Sequence, residues 1–302
     1  MELETQAGRA RDVGRVSGAL LVAISGASFG TLSVFNRQLG QAGVSVPMML
    51  TLRFAGGALV LWALAWKWGD ASRIALDRWV SFAVLGVLYV AGSWAYFESA
   101  TRIPVALTAL LLYVYPVVVA MARRLWFGES LGRAGLVALA LSSAGIALAV
   151  GSPSGPIDPW GVGLGLATAL IYTAYVMLGA KAQGGTSALV GSAWLMTIAA
   201  GLFAVGAIAT GSWDLHRAAS HWPPILGLIV LGTALPIPML LTGLARIGPT
   251  QGSIISSAEP ISAAVCGALF LNETLTQAQL GGIALVLLSL TVLALRIEPR
   301  RP

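Results

Sequence analysis

Thr101–Leu141 reads TRIPVALTALLLYVYPVVVAMARRLWFGESLGRAGLVALAL, and Ala245–Leu287 reads ARIGPTQGSIISSAEPISAAVCGALFLNETLTQAQLGGIALVL. The two stretches align without a gap at an offset of 144 residues. Arg102 then meets Arg246, Ile103 meets Ile247 and Pro116 meets Pro260. Ala120, Leu125 and Glu129 meet Ala264, Leu269 and Glu273. Leu131, Ala134 and Leu136 meet Leu275, Ala278 and Leu280. Apolar segments coincide at single positions by chance. A proline and a glutamate 13 residues apart, matched in both copies, are much harder to obtain that way. The chain reads as a duplication.

What is duplicated belongs in a membrane. Of 302 residues, 57% are hydrophobic and only 10% charged, against roughly 25% charged in a soluble domain. Mean hydropathy is +0.83. Apolar segments fall at about 17–38, 46–68, 78–100, 104–124, 132–151, 158–180, 187–210, 222–245, 249–271 and 277–297. Each suits a helix of about 20 residues crossing a bilayer. The runs are apolar all round rather than alternating, which favours helices over a barrel. The fold class expected is therefore all-α integral membrane: ten transmembrane helices as two inverted five-helix repeats. An odd number of spans per repeat turns the second copy upside down, an arrangement typical of secondary transporters, with the site near the midplane. The expected divisions are a tail at 1–16, repeats at 17–151 and 152–298, and a second tail at 299–302.

Charge orients the spans. With the N-terminus inside, Arg37, Arg102 and Arg217 fall in outside connections, Arg53 falls within the second span, and the other 14 of the 18 Lys and Arg residues fall inside. This bias places both termini in the cytoplasm. The net charge of +6 then reads as positive-inside loops and calls for no nucleic-acid partner. Residues 1–16 lack the apolar core of a cleavable signal peptide.

The blocks Tyr115-Pro116…Gly128-Glu129-Ser130 and Glu259-Pro260…Asn272-Glu273-Thr274, each followed by LxxAxL, carry a likeness to a known group. Over about residues 17–297 the chain resembles the ten-helix EamA branch of the drug/metabolite transporter superfamily, and within it exporters of the YddG aromatic amino-acid type. The resemblance implies a secondary transporter in a bacterial inner membrane. It would move amino acids, aromatic or apolar, outward by alternating access. Multidrug efflux of cationic or aromatic compounds is the competing function. An intramembrane lipid-acting enzyme is another, but it would need more acidic or histidine residues at one depth than Glu259 supplies. The two repeats differ chemically where Tyr115 stands against Glu259.

All six tyrosines fall inside spans, whereas Trp66, Trp68, Trp79, Trp126, Trp160, Trp213 and Trp222 occupy span ends, as interfacial belts require. Tyr89, Ser93 and Tyr96 share a face of the third span; Thr168, Tyr172 and Tyr175 share a face of the sixth. Thr108 and Tyr115 do so on the fourth, which also carries Tyr113. Buried phenols need partners, so these hydroxyls either stitch helices together or line a substrate cavity. Glu259, near the middle of the ninth span with Ser256 one turn away, is costly in lipid and must face protein or water. It reads as a carboxylate for a proton or a substrate ammonium, or as a structural partner of nearby hydroxyls.

Pro116, Pro236, Pro238 and Pro260 lie deep in spans, as hinges or static kinks. Arg37, Arg53, Glu98 and Arg102 read as snorkelling side chains near the outer ends of spans one to four, with an outer gate as the alternative. Gly26-Ala27-Ser28-Phe29-Gly30 matches a hydrolase GxSxG, but on a helix it reads better as GxxxG packing. Glu129 and Glu273 read as N-terminal caps of spans five and ten. No Walker motif is present, so ATP is not expected; nor is any cofactor or metal. The one cysteine, Cys266, excludes an internal disulfide, and His216 and His221 share one polar connection. The partners expected are a small-molecule substrate and the lipid bilayer, and nothing calls for more than a monomer.

Overall fold

A computed structural model describes residues 2–67, 79–103, 105–150, 158–182, 187–271 and 275–297. Glu273, the 152–157 connection and residues 299–302 lie outside them. Among the described residues there is no strand. Span 1 is formed by α1 (Glu2–Gly30) and α2 (Leu32–Gln41), span 2 by α3 (Val46–Lys67) and span 3 by α4 (Trp79–Arg102). Span 4 comprises α5 (Val105–Leu112) and α6 (Tyr115–Phe127), span 5 α7 (Gly132–Val150), span 6 α8 (Pro159–Ala182) and span 7 α9 (Ala188–Ala209). A short α10 (Leu215–Ala219) leads to span 8, made of α11 (Trp222–Ile229), a π-helical turn (Val230–Ala234) and α12 (Pro236–Ile247). Span 9 is α13 (Pro249–Ile255) and α14 (Ala258–Phe270), and span 10 is α15 (Gln277–Ile297). Eight spans are long and apolar enough to cross a bilayer outright, and spans 5 and 10 are shorter apolar helices. Large apolar side chains such as Leu59, Val205, Ile208 and Leu269 face outward, where lipid rather than water receives them.

The duplication is written into the packing. Span 5 lies along span 10 and span 2 along span 7, so each of these helices meets its own counterpart. Span 3 packs on span 6 and span 8 on span 1, two contacts that exchange when the repeats are swapped. Atoms repeat the pattern. Ser289 donates to the Ala138 carbonyl at 2.8 Å, and Gly145, 144 residues before Ser289, leaves room for the Gly282 carbonyl, 144 residues after Ala138. Gly18 closes on Arg246 and Ile247, where a Cβ would stand 2.7 and 2.8 Å from their side chains. Gly161, 143 residues after Gly18, closes likewise on Arg102 and Ile103, at 2.9 Å from each. Such reciprocity marks a two-fold relation. With five spans per repeat the axis lies in the membrane plane. Ten spans return the chain to the side where it began. That side is called the terminal side below, and the opposite one the far side.

Four spans are broken, three of them beside prolines. Pro116 and Pro260 lack the N–H that a helix would direct to the carbonyl four residues back. Spans 4 and 9 accordingly tighten into three-residue turns, with Val114 N bonded to Leu111 O at 3.2 Å and Ser257 N to Ile254 O at 3.1 Å. In span 8, Pro236 removes the donor for Gly232 O, and the chain takes a π turn closed by Leu235 N to Val230 O at 3.0 Å. Neighbouring side chains satisfy the carbonyls so freed, as a bilayer interior requires. Arg53 Nη2 donates to Gly232 O at 2.8 Å and Ser28 Oγ to Leu231 O at 2.5 Å, while Ser25 Oγ adds a bond to Pro236 O, at the start of α12, at 2.7 Å. Span 1 turns at Thr31 without a proline.

Residues 2–16 are helical and continuous with the first span. A sequence expectation is corrected at Glu129. Glu129 does not cap span 5, whose helix starts at Gly132; it turns back to pair with Arg123 and is 3.5 Å from the Thr250 hydroxyl. The Arg123 guanidinium hydrogen-bonded to it holds the Glu129 carboxyl below its ordinary range.

Gly26 and Gly30 do serve close packing, of span 1 against span 9. A Cβ on Gly26 would sit 3.3 Å from Glu259 N, and one on Gly30 would sit 2.6 Å from Ala263 N. The second contact is with backbone, which cannot swing aside. Gly30→Leu should therefore cost more than the roughly 1–3 kcal/mol of ordinary overpacking and sharply lower the thermal midpoint in detergent. Gly14→Ala, where a Cβ meets nothing within 4 Å and alanine suits the helix better than glycine, should not lower it.

Candidate functional site

Between spans 1, 2, 3, 4, 6, 8 and 9 lies a cavity of about 350 Å³. Tyr89, Ser93 and Tyr96 reach it from span 3, Tyr113 and Tyr115 from span 4, and Thr168 and Tyr172 from span 6. Glu259 and Pro260 reach it from the start of α14. Of the ten residues singled out as cavity candidates, eight share this wall. Tyr175 and Ser256 do not. Tyr175 is buried behind the wall, stacked on Tyr172 at 5.5 Å and edge-on to Tyr89 at 5.6 Å. Ser256 is buried off the cavity wall, with its hydroxyl donated to Gly252 O at 2.9 Å. Thr168 lines the cavity although its hydroxyl bonds Leu164 O at 2.9 Å. Thr108 is buried against Ser99 at 3.1 Å.

The rings form a continuous aromatic course. Tyr115 meets Tyr172 edge-on at 4.8 Å, and Tyr113 lies 6.3 Å from Tyr115. Offset and edge contacts of this kind rigidify a wall without filling it. Glu259 is half-buried, its open part toward the cavity, whose wall it shares with Tyr113. The π-system faces and one carboxylate give the cavity the chemistry to receive an apolar or aromatic body with a cationic end.

Sequence reasoning misassigned Arg53. It does not snorkel: only 6% of its surface is exposed, and it lines the cavity. Its Nε donates to Thr233 Oγ1 at 2.8 Å, and its Nη2 to Gly232 O at 2.8 Å and toward Tyr89 Oη at 3.3 Å. The available signal was a lone arginine inside an otherwise apolar span, which by itself marks a functional candidate. Glu98 and Arg102 pair one turn apart at 2.9 Å, and Arg102 reaches Asp158 at 3.4 Å. None of these three lines the cavity, so they form no gate over it. Phe29, Ser33 and Asn36 of span 1 complete the wall and were not anticipated.

The two sides of the cavity differ. On the terminal side, α6 packs on α13, α8 packs on α12, and Tyr115 Oη donates to Ser253 O at 3.1 Å. A separate hollow of about 230 Å³, lined by Arg123, Glu129, Thr250 and Gln251 among others, lies beyond that bond. Swapping the repeats should produce matching contacts on the far side, of α14 on α5 and of α1–α2 on α4. Among the described residues no comparable packing occurs there. Instead Asn36, Tyr96, Phe97 and Ala109 line the cavity at that end. The protein is closed toward its terminal side and open toward the far side.

The model of the EamA-like transporter family matches residues 16–151 and again residues 159–295. The chain is 29% identical over 272 residues to the threonine/homoserine exporter RhtA of Salmonella typhimurium, covering 85% of each chain. It is 29% identical to RhtA of Escherichia coli over 250 residues, 78% of each. An uncharacterized transporter of Archaeoglobus fulgidus is 28% identical over 89% of this chain and 93% of its own. A crystal structure superposes with a TM-score of 0.75 over 94% of this chain and all of the other; at 21% identity it speaks for the fold alone.

Proposed function

This chain belongs to the EamA-like transporter family, and from that premise we propose that it exports amino acids. It is an integral membrane transporter, with relatives named as transporters rather than enzymes. The observation that carries the substrate class is Glu259, a carboxylate set among tyrosine rings in a cavity open on one side only. A substrate ammonium in contact with it would gain a charge-assisted hydrogen bond. On the Lys and Arg bias the terminal side is the cytoplasmic one, and the present form is then outward-open. Two inverted repeats that rock against each other would expose Glu259 to either side in turn, with the broken spans at Pro116, Pro236, Pro238 and Pro260 as flexing points. A monomer suffices for this.

The aromatic wall favours an aromatic or apolar side chain. The enterobacterial relatives are named for threonine and homoserine, so both kinds of solute belong in the test. Multidrug efflux is the second reading, since tyrosine faces and a carboxylate also suit a lipophilic cation. The guanidinium of Arg53 in the same cavity opposes it. Proteoliposomes loaded separately with radiolabelled phenylalanine, leucine, threonine, homoserine and tetraphenylphosphonium would decide. Protein-dependent efflux of at least one amino acid is expected. Efflux of the phosphonium with none of the amino acids moving would overturn the proposal in favour of cation efflux.

A further inference from the structure

We infer that Arg53 binds the α-carboxylate of the transported amino acid, so that Arg53 and Glu259 together receive the two ends of a zwitterion. The assignment rests on the amino-acid reading above and adds a residue to it. Arg53 and Glu259 line one cavity. Among the described residues, however, they form no ion pair with each other. Opposite charges left facing one cavity without contact leave a gap between them, and a group bearing both opposite charges close together would bridge it.

The hydrogen-bond partners of Arg53 are Thr233 Oγ1, Gly232 O and Tyr89 Oη, all neutral acceptors, and its guanidinium carbon lies 4.9 Å from the centre of the Phe54 ring. They engage Nε and Nη2; among the described residues Nη1 has no hydrogen-bond partner. The bond to Gly232 O repairs the carbonyl left free by Pro236. A neutral donor would repair it equally well, so that duty does not account for a full positive charge at this depth. An incoming carboxylate does, because guanidinium and carboxylate match in both charge and fork geometry.

Position supports the same role. Tyr89 and Thr233 are 144 residues apart and thus occupy matching places in spans 3 and 8. A guanidinium that bridges them lies close to the pseudo-two-fold axis. A substrate group held on that axis is reachable from either side of the membrane, which a ligand in alternating access requires.

The assignment predicts a selectivity pattern. Binding to purified, lipid-reconstituted protein would be measured with L-phenylalanine and L-threonine, each beside its α-carboxamide and its N-acetyl derivative. The unaltered protein should bind at least one free amino acid about tenfold or more tightly than either of its blocked forms, the scale of one hydrogen bond to a charged group. In Arg53→Gln the preference for acid over carboxamide should vanish, while the preference for the free amine over the N-acetyl form persists. Glu259→Gln should show the reverse. Arg53→Lys should keep part of the acid preference and serves if Arg53→Gln does not fold. A parent protein that binds a free amino acid and its carboxamide equally well would overturn the role of Arg53 and leave amino-acid export standing. So would an unchanged acid preference in folded Arg53→Gln. Binding would be measured likewise for leucine and homoserine, and a parent that binds none of the four amino acids would overturn the export reading and this assignment with it.

Discussion

Glu259→Gln should insert, fold and melt like the parent protein and should lose transport by about 10- to 100-fold. The magnitude is that of a hydrogen bond between charged partners, about 1.5–3 kcal/mol. Glutamine is isosteric and keeps one acceptor, so the packing of α14 against Gly26 is untouched. What glutamine cannot do is neutralise a substrate ammonium. Initial rates of efflux from proteoliposomes, normalised to inserted protein, would measure the loss. Transport at the parent rate with normal insertion would make Glu259 a structural partner only.

A second large effect is expected where the terminal side closes. Gly179 of span 6 and Leu241 of span 8 meet there, with a Cβ on Gly179 standing 3.0 Å from Leu241 Cδ2. With Cys266 replaced by serine, Gly179→Cys/Leu241→Cys should be joined by a short bifunctional thiol reagent. The tie should abolish transport, and cleavage of a reducible linker should restore it. The contact belongs to the closed side alone, so holding it shut removes one of the two states that transport needs. Full transport by the tied protein would show that this contact never opens.

Much of this was legible in the sequence because each part depended on local pattern. Span lengths follow from apolar runs, and the repeat follows from Pro116, Glu129, Pro260 and Glu273 standing at one offset. The tyrosine faces of spans 3 and 6 follow from helical periodicity, which holds wherever the helix is continuous. It fails at a break. Beside the break at Ser256–Ser257, Ser256 is buried off the cavity wall with its hydroxyl on Gly252 O. Arg53 was misassigned for a related reason. Depth along a span can be counted, but the acceptors that draw the guanidinium inward are Gly232 O and Thr233 Oγ1, exposed by a π turn 179 and 180 residues away. Tyr175 was given the right face, yet Tyr89 and Tyr172 cover it. Phe29, Ser33 and Asn36 carried no signal, because the turn at Thr31 that presents them has no proline to announce it.

The central claim is that two inverted repeats exchange their roles, and the repeat itself names the place to measure it. Asn36 lies 143 residues before Gly179, and Phe97 lies 144 before Leu241, so the two are the far-side counterparts of the closed contact. Both line the open cavity, on spans 1 and 3, which do not pack closely here. In the opposite state they should meet as Gly179 and Leu241 do now. Asn36→Cys/Phe97→Cys, again without Cys266, should therefore be tied by the same short reagent in membranes, with loss of transport that cleavage of the linker reverses. If that pair is never tied under conditions that tie Gly179→Cys/Leu241→Cys, while the protein still transports, the exchange of the two repeats is contradicted.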